Sequence, residues 1–264
     1  MTKRLGTVIS QGKNTVIVSR PRRRPAAFAL SALSIGALAL AGCTGTVPGD
    51  GGAVPPPPDG GGTGGGVPGP PPAGGCAPVD VLAARGTGEP QQTGSFIMGG
   101  LSNGIAQQTG GTKYEVQYPA STDYLNDPNT GAADALAHIQ SQAAACPDQL
   151  YVLNGYSAGA LVMVTLMNRI PADLQPRVVA AVLYGDPYYN SASPSAAGSG
   201  QATAAPRPFG GVPASFAGKT RDYCNAGDPV CGAGSDFAAH LGYGAYQAEG
   251  IAFAVEKVRA AQAG

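Results

Sequence analysis

The sequence predicts an α/β fold in which helices cover both faces of a mostly parallel β-sheet. Two observations predict it. Strand-like and helix-like segments alternate along residues 76–264, and the strand-like segments are short, mostly apolar runs, as expected for strands that are buried on both faces. Val79–Ala84 and Val178–Tyr184 are the clearest of these runs. This part of the chain is long enough for one domain with a substantial core.

The other elements follow from local patterns. Helices are expected to end at Pro147 and Pro171, because proline cannot continue a helix. Further strands are predicted over residues 114–118, 150–153 and 219–223, and helices over residues 99–108, 131–145, 158–169 and 244–261. Residues 190–208 are rich in Ser, Ala and Gly, and we interpret them either as a mobile loop near a pocket or as a surface insertion.

Residues 1–42 have the composition of an export signal. Three consecutive arginines at 22–24 precede an apolar stretch of mainly Ala and Leu over residues 26–42, which is short for a membrane-spanning helix. A genuine N-terminal membrane helix is the competing interpretation. The letters LAGC at residues 40–43 resemble the lipobox of bacterial lipoproteins. They predict a mature chain that begins at a lipidated Cys43.

Residues 43–75 are predicted to form a tether. Of the 32 residues from 44 to 75, 22 are Gly or Pro, so the segment has little apolar surface with which to offset its ordering entropy. We interpret it as a spacer that holds the domain over residues 76–264 away from a membrane, and a Pro-rich recognition segment is the alternative. We therefore expect an exported monomer, lipid-anchored at the cell surface or envelope, with release from the cell as an open alternative.

Charge argues against one class of partner. Seven of the 16 Lys and Arg residues lie in the first 43 residues, and the remainder carries a net charge of −7. Nucleic-acid binding requires a basic face. We therefore expect no nucleic acid as the main partner.

The five cysteines indicate lipidation and disulfide formation. Lipidation of Cys43 leaves four cysteines, which are expected to pair in an oxidising compartment and can do so in three ways. We favour Cys76–Cys146 and Cys224–Cys231, and the second of these closes a short loop that is easily bridged.

Ser157 is the predicted nucleophile. The letters GYSAG at residues 155–159 fit the pattern G-x-S-x-G between a predicted strand and a predicted helix, which is the context that this motif requires. A sharp turn there exposes the serine hydroxyl, and the N-terminus of the helix supplies N–H groups for an oxyanion. A Gly-rich turn with a capping serine is the competing interpretation.

His240 is the predicted base. The chain has two histidines, His138 and His240, and only His240 follows Ser157, in the order of nucleophile, acid and histidine that α/β-hydrolases use. His138 lies within a predicted helix, where we interpret it as a packing or surface residue.

The acid is expected between Ser157 and His240. Asp228 is favoured because the Cys224–Cys231 disulfide would fix its loop, and an orienting carboxylate must be rigid. Asp186 is the runner-up. The full set of candidates is Asp173, Asp186, Asp222, Asp228 and Asp236.

Residues 76–264 resemble the cutinase family, including the cutinase-like proteins of actinobacteria. The resemblance rests on four features: ARGTGE at residues 84–89, GYSAG at 155–159, the cysteine-bounded loop around Asp228, and HLGY at 240–243. It implies a three-layer αβα sandwich with a central, mostly parallel five-stranded sheet, and it implies neither a metal nor an organic cofactor. The two favoured cysteine pairs also fit this family.

The resemblance also implies an activity. It predicts a serine esterase that hydrolyses carboxylic esters, with fatty acyl or cutin-type polyester substrates and Ser157, Asp228 and His240 as the catalytic triad. Thr87 and Ala158 match the residues of the oxyanion hole, where fungal members carry Ser and Gln. Acetyl-xylan esterases and lipases or phospholipases use the same scaffold, and a lipid-binding surface lipoprotein without turnover is the alternative outside enzymes.

Overall fold

The computed structural model describes residues 75–201 and 210–264. The predicted export signal, Cys43 and all of the predicted tether except Gly75 lie outside the described residues, so these predictions are not tested by the fold. No helix in the described part of the chain is long and apolar enough to cross a bilayer.

The described residues form one sheet in which all paired strands are parallel, in the order β2-β1-β3-β4-β6-β5. The strands are β1 (Val79–Ala84), β2 (Thr112–Glu115), β3 (Leu150–Tyr156), β4 (Val178–Tyr184), β5 (Ala196–Gly198) and β6 (Thr220–Cys224).

Helices cover both faces of this sheet. The α-helices are α1 (Gly99–Thr109), α2 (Asp127–Ala145), α3 (Ala158–Met167), α4 (Ala214–Ala217), α5 (Phe237–Leu241) and α6 (Gln247–Gln262), and 3-10 turns occupy Gln175–Arg177 and Tyr243–Tyr246. Along β1, Leu82 and Ala84 belong to the core with α2 and α3, whereas Val81 and Ala83 belong to the core with α1 and α6. This alternation confirms the predicted αβα sandwich.

The sheet has six strands in the described residues, and the prediction of five was wrong by one edge strand. The additional strand, β5, has only three residues and pairs with β6. It lies within the Ser-, Ala- and Gly-rich residues 190–208, where no apolar alternation marks a strand. Residues 202–208 of that segment lie outside the described residues.

Several element boundaries also differ from the predicted ones. Strand β3 extends to Tyr156 instead of residue 153, and helix α6 begins at Gln247 instead of residue 244. Strand β2 covers Thr112–Glu115 instead of residues 114–118, because the apolar side chains that extend the pattern, Val116 and Tyr118, are buried in the core beyond the paired segment. Helix α2 begins at Asp127 instead of Gly131. Its first turn contains Asp127 and Pro128, both of which favour a helix start.

The strands bring the predicted site residues to one edge. The loops that carry Thr87, Ser157, Asp186 and Asp228 directly follow the carboxyl ends of β1, β3, β4 and β6. Because all these strands are parallel, their carboxyl ends meet at the same edge, where open α/β sheets bind ligands.

Candidate active site

Ser157 lies at a sharp turn between β3 and α3. Its backbone angles are φ 54° and ψ −118°, a conformation that costs a non-glycine residue about 1–3 kcal/mol. Gly159 permits the turn, because a Cβ atom there would overlap the carbonyl oxygen of Ala84 at the end of β1. The turn holds the partly exposed Ser157 side chain at the carboxyl edge of the sheet.

His240 lies beside Ser157 on the short helix α5. Its Nε2 is 3.0 Å from the Ser157 Oγ, and its Nδ1 is 2.8 Å from Oδ2 of Asp228. The imidazole is almost fully buried, and the His240 backbone carbonyl accepts a hydrogen bond of 3.1 Å from the Tyr156 hydroxyl. These contacts align a hydroxyl, an imidazole and a carboxylate in one hydrogen-bonded chain, which is the arrangement that a nucleophile, its base and an orienting carboxylate require.

Asp228 is fully buried in the loop after β6. Its Oδ2 accepts from His240 Nδ1 at 2.8 Å and from the Tyr243 hydroxyl at 2.5 Å, and its Oδ1 accepts from the N–H groups of Val230 at 2.6 Å and Cys231 at 3.3 Å. Burial alone would raise the pKa of this carboxyl, but the hydrogen bonds from His240, Tyr243 and Val230 bring the pKa below its usual value of 3.8. Asp228 is therefore ionised at neutral pH.

Both favoured disulfides are present. The Cys224–Cys231 bridge closes the loop that carries Asp228, with its Cα atoms 5.8 Å apart. The Cys76–Cys146 bridge has a Cα separation of 5.6 Å and joins the segment before β1 to the end of α2. The short bridge therefore acts directly on the loop that holds the carboxylate.

Asp186, the runner-up acid, is not the partner of His240. Its Oδ1 accepts a hydrogen bond of 2.8 Å from the Tyr188 N–H, as in a turn that is stabilised by an aspartate side chain. Among the aspartates considered as candidates for the acid, the structure joins Asp228 to the His240 Nδ1.

His138 lies in a different part of the fold. It projects from α2 towards β1, where its Nε2 is 2.6 Å from Asp80 Oδ2. Its ring stacks on Tyr114 with a centroid separation of 3.6 Å. These contacts agree with the packing role predicted for His138.

The loop after β1 packs against the serine turn. A Cβ atom at Gly86 would lie 2.6 Å from Cδ1 of Tyr156, the residue before Ser157. The next residue, Thr87, has a buried Oγ1 with no hydrogen-bond partner within the described residues. Buried hydroxyls normally have a partner, so Thr87 Oγ1 is a donor suited to an atom that arrives with a ligand.

Glu89 holds this loop in shape. Its two carboxylate oxygens accept from the N–H groups of Gly86 at 2.6 Å and Phe96 at 2.8 Å, and from the Ser95 hydroxyl at 3.1 Å. The Arg85 Nε donates to the Glu89 carbonyl at 2.6 Å. Glu89 was not singled out as a site residue from the sequence, although it ends the ARGTGE segment.

Ala158 is the second residue predicted to donate to an oxyanion. It is the first residue of α3, and the N–H of a first helical residue has no acceptor within its own helix. The positive end of the α3 dipole lies at the same place. The Ala158 N–H therefore suits a developing negative charge next to the Ser157 side chain.

Sequence reasoning missed two further residues around His240. Tyr243 donates to Asp228, as described above, and Gly185 leaves room for the imidazole, because a Cβ atom there would lie 2.8 Å from His240 Cε1. Gly185 also has φ 63°, a left-handed conformation that favours glycine. The signals in the sequence are that Tyr243 ends the HLGY letters at residues 240–243 and that Gly185 directly follows a predicted strand.

No group of three or more His, Cys, Asp or Glu side chains within residues 75–201 and 210–264 is arranged to hold a metal ion.

The sequence model of the Cutinase family matches residues 75–258. The chain belongs to the cutinase family. Carboxylesterase Culp1 of Mycobacterium tuberculosis is 33% identical over 171 residues, which cover 64% of this chain and 75% of that protein. Phospholipase Culp4 of the same organism is 36% identical over 182 residues, which cover 64% of this chain and 73% of that protein.

A solved member of the same structural group agrees with this fold. The catalytic core domain of acetyl xylan esterase from Trichoderma reesei superposes with a TM-score of 0.62 at 28% identity, covering 69% of this chain and all of that domain. Membership of the cutinase family makes the chain an ester hydrolase of the serine esterase type.

Proposed function

We propose that this protein hydrolyses carboxylic esters through an acyl-enzyme on Ser157, with His240 as the general base and Asp228 as the carboxylate that orients it. The observation that carries the proposal is the unbroken chain from Ser157 Oγ through both His240 nitrogens to Asp228 Oδ2, with separations of 3.0 and 2.8 Å. Both separations are within the range that direct proton transfer and orientation require.

The chemistry then follows in two steps. His240 Nε2 takes the hydroxyl proton as Ser157 Oγ forms a bond to the ester carbonyl carbon, and the resulting imidazolium gives that proton to the departing alcohol. Water repeats the sequence on the acyl-enzyme and releases the acid. The ionised Asp228 keeps the proton of His240 on Nδ1 and stabilises the imidazolium in both steps.

Thr87 and Ala158 are proposed to form the oxyanion hole. The partnerless Thr87 Oγ1 and the helix-terminal Ala158 N–H are suited to donate to the carbonyl oxygen when it becomes negatively charged. Hydrogen bonds of Glu89 with Gly86 and Arg85 brace the loop on both sides of Thr87, so the Thr87 donor is held in place before the substrate arrives.

An exposed apolar rim beside the site favours fatty acyl or cutin-type polyester esters as the substrate class. The rim is defined by three exposed apolar side chains on the elements that carry the site: Phe96, Phe237 and Leu241, which are 70%, 60% and 51% exposed. Phe237 and Leu241 flank His240 on α5, and Phe96 is bonded through its N–H to Glu89. The Phe237 ring lies 5.5 Å from the His240 ring, so apolar surface is available beside the proposed triad for an apolar acyl chain.

Two other substrate classes compete with this one. Acetyl xylan is suggested by the name of the Trichoderma reesei neighbour, and phospholipid by the name of Culp4. A panel of p-nitrophenyl esters from acetate to palmitate, together with acetylated xylan and phosphatidylcholine vesicles, separates the three. We expect kcat/KM to rise with acyl length, and a maximum at acetate would contradict the fatty acyl assignment.

The rim can be tested on the same panel. Leu241→Ser should lower kcat/KM for long-chain esters about 5- to 10-fold, because part of an apolar contact is lost. The acetate ester should be cleaved at an unchanged rate, which serves as the internal control for an intact triad.

Lipid anchoring through Cys43 is part of the proposal. The supporting observations are the LAGC letters at residues 40–43 and the Gly- and Pro-rich segment that follows. We propose an exported monomer that is held at the cell surface or envelope, where the domain reaches ester substrates from the end of its tether.

Labelling with a fluorophosphonate probe tests the proposed nucleophile against the alternative of a lipid-binding protein without turnover. The probe should attach to Ser157 of the purified protein, and peptide mapping identifies the residue. Ser157→Ala provides the matched control. Absence of labelling in a folded protein that still binds lipid would favour the binding protein instead.

A further inference from the structure

The Asp228 carboxylate has a second side-chain donor besides His240. The Tyr243 hydroxyl lies 2.5 Å from Asp228 Oδ2, the same oxygen that accepts from His240 Nδ1 at 2.8 Å. A carboxylate can only accept, so the phenol donates. Two side chains, three residues apart in sequence, therefore converge on one oxygen atom of the proposed triad.

Tyr243 is rigidly held where it makes this bond. The residue is fully buried, and its ring stacks on Tyr184 at a centroid separation of 5.2 Å and an interplanar angle of 12°. Its hydroxyl also accepts from the Asn225 N–H at 3.3 Å and lies 3.2 Å from Sγ of Cys231. The hydroxyl thus links the orienting carboxylate to both ends of its disulfide loop.

The phenol keeps its proton throughout the working pH range. Burial, and then the hydrogen bond to Asp228, raise the pKa of Tyr243 far above its usual value. Tyr243 is therefore a permanent neutral donor, and it takes no proton from the reaction.

We propose that Tyr243 is a positioning residue that fixes Asp228 Oδ2 opposite His240 Nδ1 and thereby sets the rate of the chemical step. The inference rests on the proposed function of Ser157, His240 and Asp228. With Oδ1 held by two backbone N–H groups and Oδ2 held by the phenol, the carboxylate cannot rotate away when the imidazole becomes charged. A hydrogen bond from Tyr243 also shares the negative charge, which leaves the proton on His240.

Tyr243→Phe removes the hydroxyl and retains the ring. We expect kcat for a soluble p-nitrophenyl ester to fall about 10- to 100-fold, because small displacements of a catalytic group are this costly, while KM changes less than about twofold because the phenol touches no substrate. Tyr184→Phe is the matched control. It removes a hydroxyl from the ring stacked on Tyr243, and that hydroxyl has no hydrogen-bond partner in the described residues, so kcat should be unchanged.

A double-mutant cycle with Asp228→Asn distinguishes positioning from general support of the fold. If Tyr243 acts through the carboxylate, Tyr243→Phe should lower kcat by less than about twofold in the Asp228→Asn background, since the two residues act as a unit. A purely structural tyrosine would lower kcat by the same factor in both backgrounds, and that result would overturn the proposal.

A second variant covers the case in which Tyr243→Phe does not fold. 4-Fluorophenylalanine at position 243 fills the space of the hydroxyl without donating a hydrogen bond, and it should show the same loss of kcat. Full kcat in either folded variant overturns the role of Tyr243 alone. A wild-type protein without Ser157-dependent hydrolysis overturns this role together with the proposed function.

Discussion

At the scale of single residues, the hydrogen bonds of Asp228 and Asp186 indicate which of the two carboxylates orients His240. Both carboxyls are fully buried, so burial does not distinguish them. Their hydrogen bonds do, because Asp228 reaches the imidazole whereas Asp186 accepts from the Tyr188 N–H. The two residues therefore form a natural pair for mutagenesis.

Asp228→Asn should lower kcat by about 10,000-fold while the domain remains folded, because the imidazole loses the partner that fixes its tautomer. Asp186→Asn should change kcat far less, since an amide oxygen can still accept from the Tyr188 N–H. Steady-state kinetics and thermal unfolding of both variants provide the comparison. The assignment of the acid is wrong if the two variants exchange these behaviours.

Thr87→Val should lower kcat about 100-fold, the loss that is typical when one oxyanion donor is removed. Valine has the shape of threonine without the hydroxyl, and KM should change little because the donor acts on charge that develops in the transition state. Thr87→Ser keeps the hydroxyl and is the matched control. Equal kcat for Thr87→Val and the wild type would show that the Thr87 hydroxyl is not an oxyanion donor, and only backbone N–H groups would then remain as donors.

The sequence predicted the members of the proposed triad but not the residues that position them. Ser157 and His240 could be singled out from the GYSAG letters and from chain order, and the short cysteine spacing pointed to Asp228. Tyr243 and Glu89 were missed as site residues, because an aromatic residue usually belongs to the core and a glutamate usually lies on the surface. Only the tertiary contacts show that Tyr243 donates to Asp228 and that Glu89 accepts from the backbone of the loop that carries Thr87.

At the scale of elements, the loop from Cys224 to Cys231 carries the carboxylate. The bridge closes a loop with a sequence separation of 7, whereas the Cys76–Cys146 bridge has a separation of 70. Chain entropy assigns about 2.5 kcal/mol of stabilisation to the short bridge and about 4 kcal/mol to the long one. Loss of the short bridge should therefore mainly lower activity, whereas loss of the long bridge should mainly lower thermal stability.

The double variant Cys224→Ser with Cys231→Ser should lose activity well below its melting temperature, because the freed loop no longer fixes Asp228. The pair Cys76→Ser with Cys146→Ser should remain active in the cold and unfold at a lower temperature than the wild type. Activity and thermal unfolding are measured side by side on both variants. Full activity of the first variant in the cold would show that hydrogen bonds alone hold the loop.

Strand β4, in the middle of the sheet, could be predicted from the sequence, whereas the edge strands β2 and β5 could not be placed correctly. β4 was predicted with its observed bounds, because a buried parallel strand is a continuous apolar run. β5 was missed because three residues of Ala and Gly carry no such pattern, and β2 was displaced because Val116 and Tyr118 are buried outside the strand. In each case tertiary packing, not local propensity, decided the boundary.

At the scale of the whole molecule, the proposal combines an apolar rim beside the site with a lipidated Cys43. Cys43→Ala should release the protein from the membrane fraction or block its processing, because stable attachment requires acyl chains on that residue. Fractionation and intact-mass measurement of the variant and the wild type test this expectation. Unchanged partition and unchanged mass in the variant would contradict it.

The most direct test of the proposed mechanism is rapid-quench mass spectrometry during turnover of p-nitrophenyl butyrate. The wild type should carry one butyryl group, located on Ser157 by peptide mapping, and its formation should coincide with release of p-nitrophenol. Ser157→Ala should carry none and should release no p-nitrophenol above background. A butyryl group on another residue, or hydrolysis that persists in Ser157→Ala, would contradict the proposal that the Ser157–His240–Asp228 chain is the catalytic centre.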